Sequence, residues 1–202
     1  MKNFYVYKES VKKLLTAAKN DAEIAKRICG TVADIITVDG RYKMAIGAAV
    51  GASVQNIITP TVDDARYLIE YLKKNGGVAT FMPLDRIIPK LDSEEIKRAV
   101  CENGAIGLAA ELVQYASRYE QAVLNLLGNT LICDTIANAT AIVKKFPNRF
   151  KTVTLDGDII SINGLITGGE SQKRFGCYFE KEREKQTGTT CEVKQNLVER
   201  FS

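Results

Sequence analysis

Histidine is absent from this sequence. It is the commonest general base and metal ligand near neutral pH, so Ser-His and Cys-His nucleophile pairs and HExxH zinc sites are excluded. Catalysis through carboxylates, lysine or oxygen-held metals stays open. No run of about 18 apolar residues occurs, so no segment reads as membrane-spanning. The start, Met1-Lys2-Asn3-Phe4-Tyr5, lacks the apolar stretch of a secretory signal. The five cysteines (Cys29, Cys101, Cys133, Cys177, Cys191) are widely spaced and form no C-x-x-C pair, which predicts reduced thiols in a cytoplasmic setting. No G-x-x-x-x-G-K-[ST] is present, and Gly168-Gly169-Glu170-Ser171 has neither the lysine nor the spacing of a phosphate loop. No cofactor and no metal is expected.

Net charge is also small across the repeated middle of the chain. The net charge is +4, yet residues 1–28 hold seven basic and three acidic side chains, while residues 29–169 are nearly balanced. The positive excess therefore sits in the flanks, mainly the first. That favours nucleic-acid contact there over contact across the whole surface, although solvated lysine-rich helices give the same pattern.

The strongest positive feature is internal repetition. Shifted by 77 positions, Gly30 falls on Gly107, Ala33 on Ala110, Arg41-Tyr42 on Arg118-Tyr119, Ala45 on Ala122 and Gly51 on Gly128. After a three-residue gap, Ala65, Leu68, Ile69 and Leu72 meet Ala139, Ile142, Val143 and Phe146, and the shared 0, 3, 4, 7 spacing marks one helix face. Two copies of so long a unit imply two related subdomains rather than a solenoid.

Local patterns fill in the rest. Residues 8–28 read as helix, with Val11, Leu14, Leu15 and Ala18 on one face. Val32–Val38 and its counterpart Leu108–Tyr115 read as strands, as do 54–59, 78–82, 130–133 and 151–155. Helices are predicted from Tyr42 to Val50, stopped by Gly51, and over roughly 117–127 and 135–146. Another opens at the Thr61-Val62-Asp63-Asp64 capping box, and a short one follows Asp92-Ser93-Glu94-Glu95. Asp156-Gly157 predicts a type I′ hairpin, beyond which the chain runs into Asn163-Gly164-Leu165-Ile166-Thr167-Gly168-Gly169. On chemistry alone that segment reads equally as an edge strand or as loop.

In this order, Gly30–Ile36, Ala79–Ile87 with its Leu84-Asp85-Arg86 turn, Gly107–Leu112, Arg118-Tyr119, Leu127–Leu131, Val153–Asp158 and Ile166–Gly169 resemble the hinge domain of structural maintenance of chromosomes (SMC) proteins. The resemblance covers about residues 5–174. It implies an α+β module of two related subdomains with mixed sheets and helices, flanked by helical coiled-coil stubs. The divisions would be an entry helix at 1–28, subdomain I at 29–88, a connector at 89–106, subdomain II at 107–169 and an exit coil at 170–202. The last departs from the family, because Phe175–Phe179 and Thr187–Thr190 interrupt any heptad.

The resemblance also implies a function. The module would join two long coiled-coil arms of a chromosome condensation and segregation ATPase, with ATP bound only in the distant heads. Its partner would be a second hinge, identical or paralogous, met through Gly164, Leu165, Ile166, Gly168 and Gly169. In the resembled fold the flanks leave side by side, so Lys12, Lys13, Lys173 and Arg174 would form a DNA patch with weak, sequence-independent affinity. Tyr5, Tyr7, Phe175 and Tyr178 would then either stack on bases or pack against the helices. The location would be the nucleoid of a prokaryote or the nucleus of a eukaryote, with no membrane. The rival reading is a small-ligand or enzymatic cleft near Asp85, Arg86, Asp156 and Asp158.

Overall fold

The computed structural model describes residues 7–89, 94–169 and 179. Helix α1 (Glu9–Asn20) turns Val11 and Leu14 into the protein. The long entry helix expected over 8–28 breaks at Asp21, whose backbone is extended (φ −128°) and whose carboxylate accepts from the N–H groups of Glu23 and Ile24 at 2.8 and 3.3 Å. An Asp side chain satisfying two free N–H groups makes a new helix start cheap. The short α2 (Ala22–Ala25) follows and buries Ile24.

The strand expected at 32–38 is instead three pieces: β1 (Gly30–Thr31), a helical turn α3 (Val32–Ile35) and β2 (Thr37–Val38). The Asp34 carboxylate accepts from both the N–H and the hydroxyl of Thr31 at 2.9 Å. The turn it holds drives Val32 and Ile35 into the core together, so burial and capping override β-branched propensity. A 3-10 turn (Gly40–Tyr42), with Asp39 accepting from the Arg41 N–H, leads into α4 (Lys43–Val50). Another 3-10 segment, Gly51–Gln55, occupies much of the stretch expected to begin a strand, leaving β3 as Ile57–Thr59. Helix α5 (Val62–Asn75) has the anticipated capping box, with the Thr61 N–H donating to Asp64 and Thr61 Oγ1 accepting from the Asp64 N–H, both at 3.2 Å. Such a cap contributes about 1 kcal/mol. Strand β4 (Phe81–Pro83) closes the first half.

The second half repeats this order after α6 (Glu94–Ala99). Strand β5 (Ala105–Leu108) gives way to a turn at 109–112 and then β6 (Val113–Gln114), the same correction as in the first copy. A 3-10 turn leads into α7 (Glu120–Leu127), then β7 (Thr130–Cys133), α8 (Ile136–Lys145) and β8 (Lys151–Thr154). Strands β9 (Ile159–Ile160) and β10 (Ile166–Thr167) have no counterpart in the first half.

The sheets carry the duplication into three dimensions. One is ordered β1-β3-β4, the other β5-β7-β8-β9-β10, and in each the first pair is antiparallel and the second parallel. Gly30 faces Ile58 as Gly107 faces Ile132. The Leu84 N–H donates to Thr59 as the Leu155 N–H donates to Cys133. Between the halves, β2 pairs with β6, and Thr37 faces Gln114, its own counterpart 77 positions on. An antiparallel pair of equivalent residues places a pseudo-two-fold axis through that contact.

Around this axis lies a core built from both halves, including Val32, Ile46, Ile58, Val123, Ile132, Val153 and also Phe179. Outer cores sit behind each sheet, one around Leu14, Ile57 and Leu68, the other around Ile96, Leu131 and Ile142. Strand alternation explains the division: Ile57 faces outward to α1 and α5, whereas Ile58 faces the shared core.

Candidate self-association interface

The predicted hairpin at Asp156-Gly157 forms, but not as a type I′ turn, which needs positive φ at both central residues. Among the described non-glycine residues only Asn148 has positive φ. The loop is instead three residues long. Thr154 N–H donates to Asp158 C=O at 2.9 Å, Gly157 N–H to Thr154 C=O at 3.0 Å, and Gly157 takes φ +91°. Thr154 Oγ1 adds a bond by accepting from the Asp158 N–H at 3.0 Å.

The same device recurs immediately. Ser161 N–H donates to Leu165 C=O, Gly164 N–H to Ser161 C=O, both at 2.9 Å, and Gly164 takes φ +79°. Ser161 Oγ accepts from the Leu165 N–H at 3.1 Å. Asn163-Gly164 repeats Asp156-Gly157, a turn signal carried by the sequence itself. Gly164 is therefore a turn residue that precedes the strand rather than a member of it. The strand it launches, β10, is short and lies at the sheet edge.

That edge is exposed and apolar. Leu165 and Ile166 are 69% and 61% accessible. Because Leu165 C=O and the register Ile160–Ile166 set the alternation, Ile166 turns its N–H and C=O away from β9. Gly168 is explained within the chain: a Cβ there would collide with the Asp158 carboxylate, which also accepts from the Gly169 N–H at 3.3 Å.

The first half has a free edge at the equivalent place. Register equates Phe81 with Thr152 and Met82 with Val153; Thr152 and Val153 pair with β9, while among the described residues β4 pairs only with β3. Thr80 C=O and Leu84 N–H point to β3, so Phe81 turns its backbone groups outward. Pro83, with no N–H to offer, suits an edge. Exposed Val78 (83%) and Ile88 (81%) flank this strand. Sequence reasoning missed this edge, since its vacancy is visible only when the two sheets are compared.

The basic candidates are split. Lys13 is exposed on α1, and Lys12 lies 3.6 Å from Glu9. Lys173 and Arg174, like Tyr5, Phe175 and Tyr178, lie outside the described residues. Tyr7 packs: its hydroxyl is 3.1 Å from Thr31 Oγ1. The rival cleft finds no support in geometry. Asp85 and Arg86 face each other at 4.0 Å on an exposed turn, and Asp158 is committed to its own hairpin. Among the described residues, no three His, Cys, Asp or Glu side chains gather as metal ligands, and no helix is long and apolar enough to cross a membrane.

The described residues form an α+β unit of two related halves about a pseudo-dyad, with strand edges at β4 and β10 that no other described strand pairs. Comparison with known proteins names the class. Residues 25–143 match the SMC proteins Flexible Hinge Domain. The chain is 36% identical over 195 residues to the chromosome partition protein Smc of Desulfitobacterium hafniense, covering 96% of this chain and 16% of that protein. It is 34% identical over 184 residues to Smc of Bacillus subtilis, covering 90% and 15%. Among solved structures it resembles an asymmetric dimer of the Geobacillus stearothermophilus SMC hinge domain (TM-score 0.77, 35% identity, 85% of this chain and 70% of that one). It also resembles the Pyrococcus furiosus SMC hinge domain (TM-score 0.60, 30% identity, 81% and 91%). The chain belongs to the SMC hinge-domain family. It spans about a sixth of the length of these curated relatives.

Proposed function

We propose that this chain is the self-association module of a chromosome-partition SMC protein and that two copies join through β10 of one and β4 of the other, twice over. One observation carries the reading. β8 is extended by β9 and β10, whereas the equivalent β4 ends its sheet among the described residues, with the Phe81 backbone groups turned outward. An open edge is a template for strand addition. A two-fold arrangement satisfies both edges of both copies at once. The partner's β10 would lie antiparallel on β4, as β9 lies on β8, and would cover Leu165, Ile166, Val78 and Ile88.

Ile166→Pro tests this, because it removes the outward N–H and the exposed isoleucine side chain, while the bonds to β9 come from the neighbouring residues. Sedimentation equilibrium should show a dimer for the wild type and for Ile166→Val, and a folded monomer for Ile166→Pro. A dimer of unchanged affinity in Ile166→Pro would contradict the assignment. Replacing Gly168 is a poorer probe, since it would also disturb Asp158.

A second role is DNA contact at the flanks, through Lys12, Lys13, Lys173 and Arg174. The basic excess of the first 28 residues supports it, as does the exposure of Lys13 on α1. Such contacts reach phosphates and carry no sequence preference.

A further inference from the structure

Lys151 opens β8, the strand that carries β9 and β10. Its side chain leaves subdomain II altogether: Nζ donates to the Ala49 carbonyl at 2.6 Å, at the C-terminal end of α4. The last carbonyls of a helix lack intrahelical partners and hold partial negative charge, which suits an ammonium. Among the described residues no carboxylate is paired with Lys151, and burial pushes its ammonium below the usual lysine range. A half-buried lysine that meets a carbonyl and no carboxylate adds little to stability, because desolvating the ammonium offsets what the hydrogen bond contributes. Its position suggests another use. From Ala49 the chain runs through Gly51–Gln55 into β3, the sole neighbour of β4 among the described residues. The bond therefore ties the element bearing one free edge to the element leading to the other.

We propose that Lys151 is a positioning residue that fixes the angle between the subdomains, and thereby the spacing of the β4 and β10 edges needed for both to engage a second copy. The proposal rests on the edge-pairing reading above. Closing the second contact is an intramolecular event whose effective concentration falls when the spacing is loose. Lys151→Met should keep its melting temperature within a few degrees, yet raise the dimer dissociation constant about tenfold, measured by sedimentation over a dilution series. Lys151→Arg, which keeps a donor, should recover most of the affinity. Exchange of the cross-strand amides of the β2–β6 ribbon should quicken in Lys151→Met, reporting a looser contact between the halves. If Ile166→Pro dissociates the dimer but Lys151→Met retains wild-type affinity and exchange, the positioning role is wrong. If Ile166→Pro leaves the dimer intact, the edge reading fails first. Parallel loss of affinity and melting temperature in Lys151→Met would make Lys151 a mere core residue and also overturn the proposal.

Discussion

Cys133 shows how completely one position can be spoken for by packing. It ends β7 with no accessible surface, and burial, aided by the adjacent Asp134 carboxylate, pushes its thiol up to about 12. The thiolate is the nucleophile, so this side chain is inert at neutral pH. Cys101 is exposed. Iodoacetamide at pH 8 should therefore modify Cys101 in the native protein and spare Cys133 until denaturant is added. Equal rates at the two sites under native conditions would contradict the described burial. The glycines of 157–169 show the converse, with similar residues serving different ends. Gly157 and Gly164 supply positive φ in turns, while Gly168 makes room for a carboxylate. The preceding Asp156 and Asn163 mark Gly157 and Gly164 as turn residues, but nothing in the run itself explains Gly168. Only its partner does, and that partner, Asp158, lies ten residues away.

At the scale of elements, what could be read from the sequence was local and what could not was long-range. Thr61 and Thr135 cap equivalent helices, Leu68 and Ile142 mark their buried faces, and Thr130–Cys133 is a strand as expected. Each signal needs only neighbouring residues. The run 32–38 misled because its β-branched residues suit a strand in isolation, while Asp34 and the shared core demand a turn. The entry helix misled because apolar periodicity passes over Asp21, whose capping bonds divide it. For the proposed interface, Ile166 was within reach of the sequence; Phe81 and the proposed role of Lys151 were not, because they depend on strands paired across the whole chain. Helix α1 allows a direct test of the DNA reading. Reversing Lys12, Lys13, Lys173 and Arg174 to Glu should weaken binding of a labelled oligonucleotide in fluorescence anisotropy. On a single strand the salt slope should also flatten by about 0.7 for each phosphate left without its basic partner. An unchanged affinity and slope would remove these residues from any DNA surface.

As a whole molecule, the protein is a duplicated half folded against itself. Thr37 and Gln114 meet on the pseudo-axis, and residues of both copies fill one central core. The repeat is imperfect in one consequential place: among the described residues the second copy adds β9 and β10 and the first adds no strand beyond β4. That asymmetry leaves a projecting edge on one half and a vacant edge on the other, the condition for two copies to close on each other. Backbone hydrogen exchange reads the claim directly, because Phe81 and Ile166 turn their N–H groups to open edges within a single chain. In the associated protein both amides should exchange slowly, and dilution below the dissociation constant, or the dimer-breaking Ile166→Pro change read at Phe81, should return them to rates of exposed backbone. Fast exchange at Phe81 and Ile166 in a sample shown to be dimeric would mean that the copies meet elsewhere.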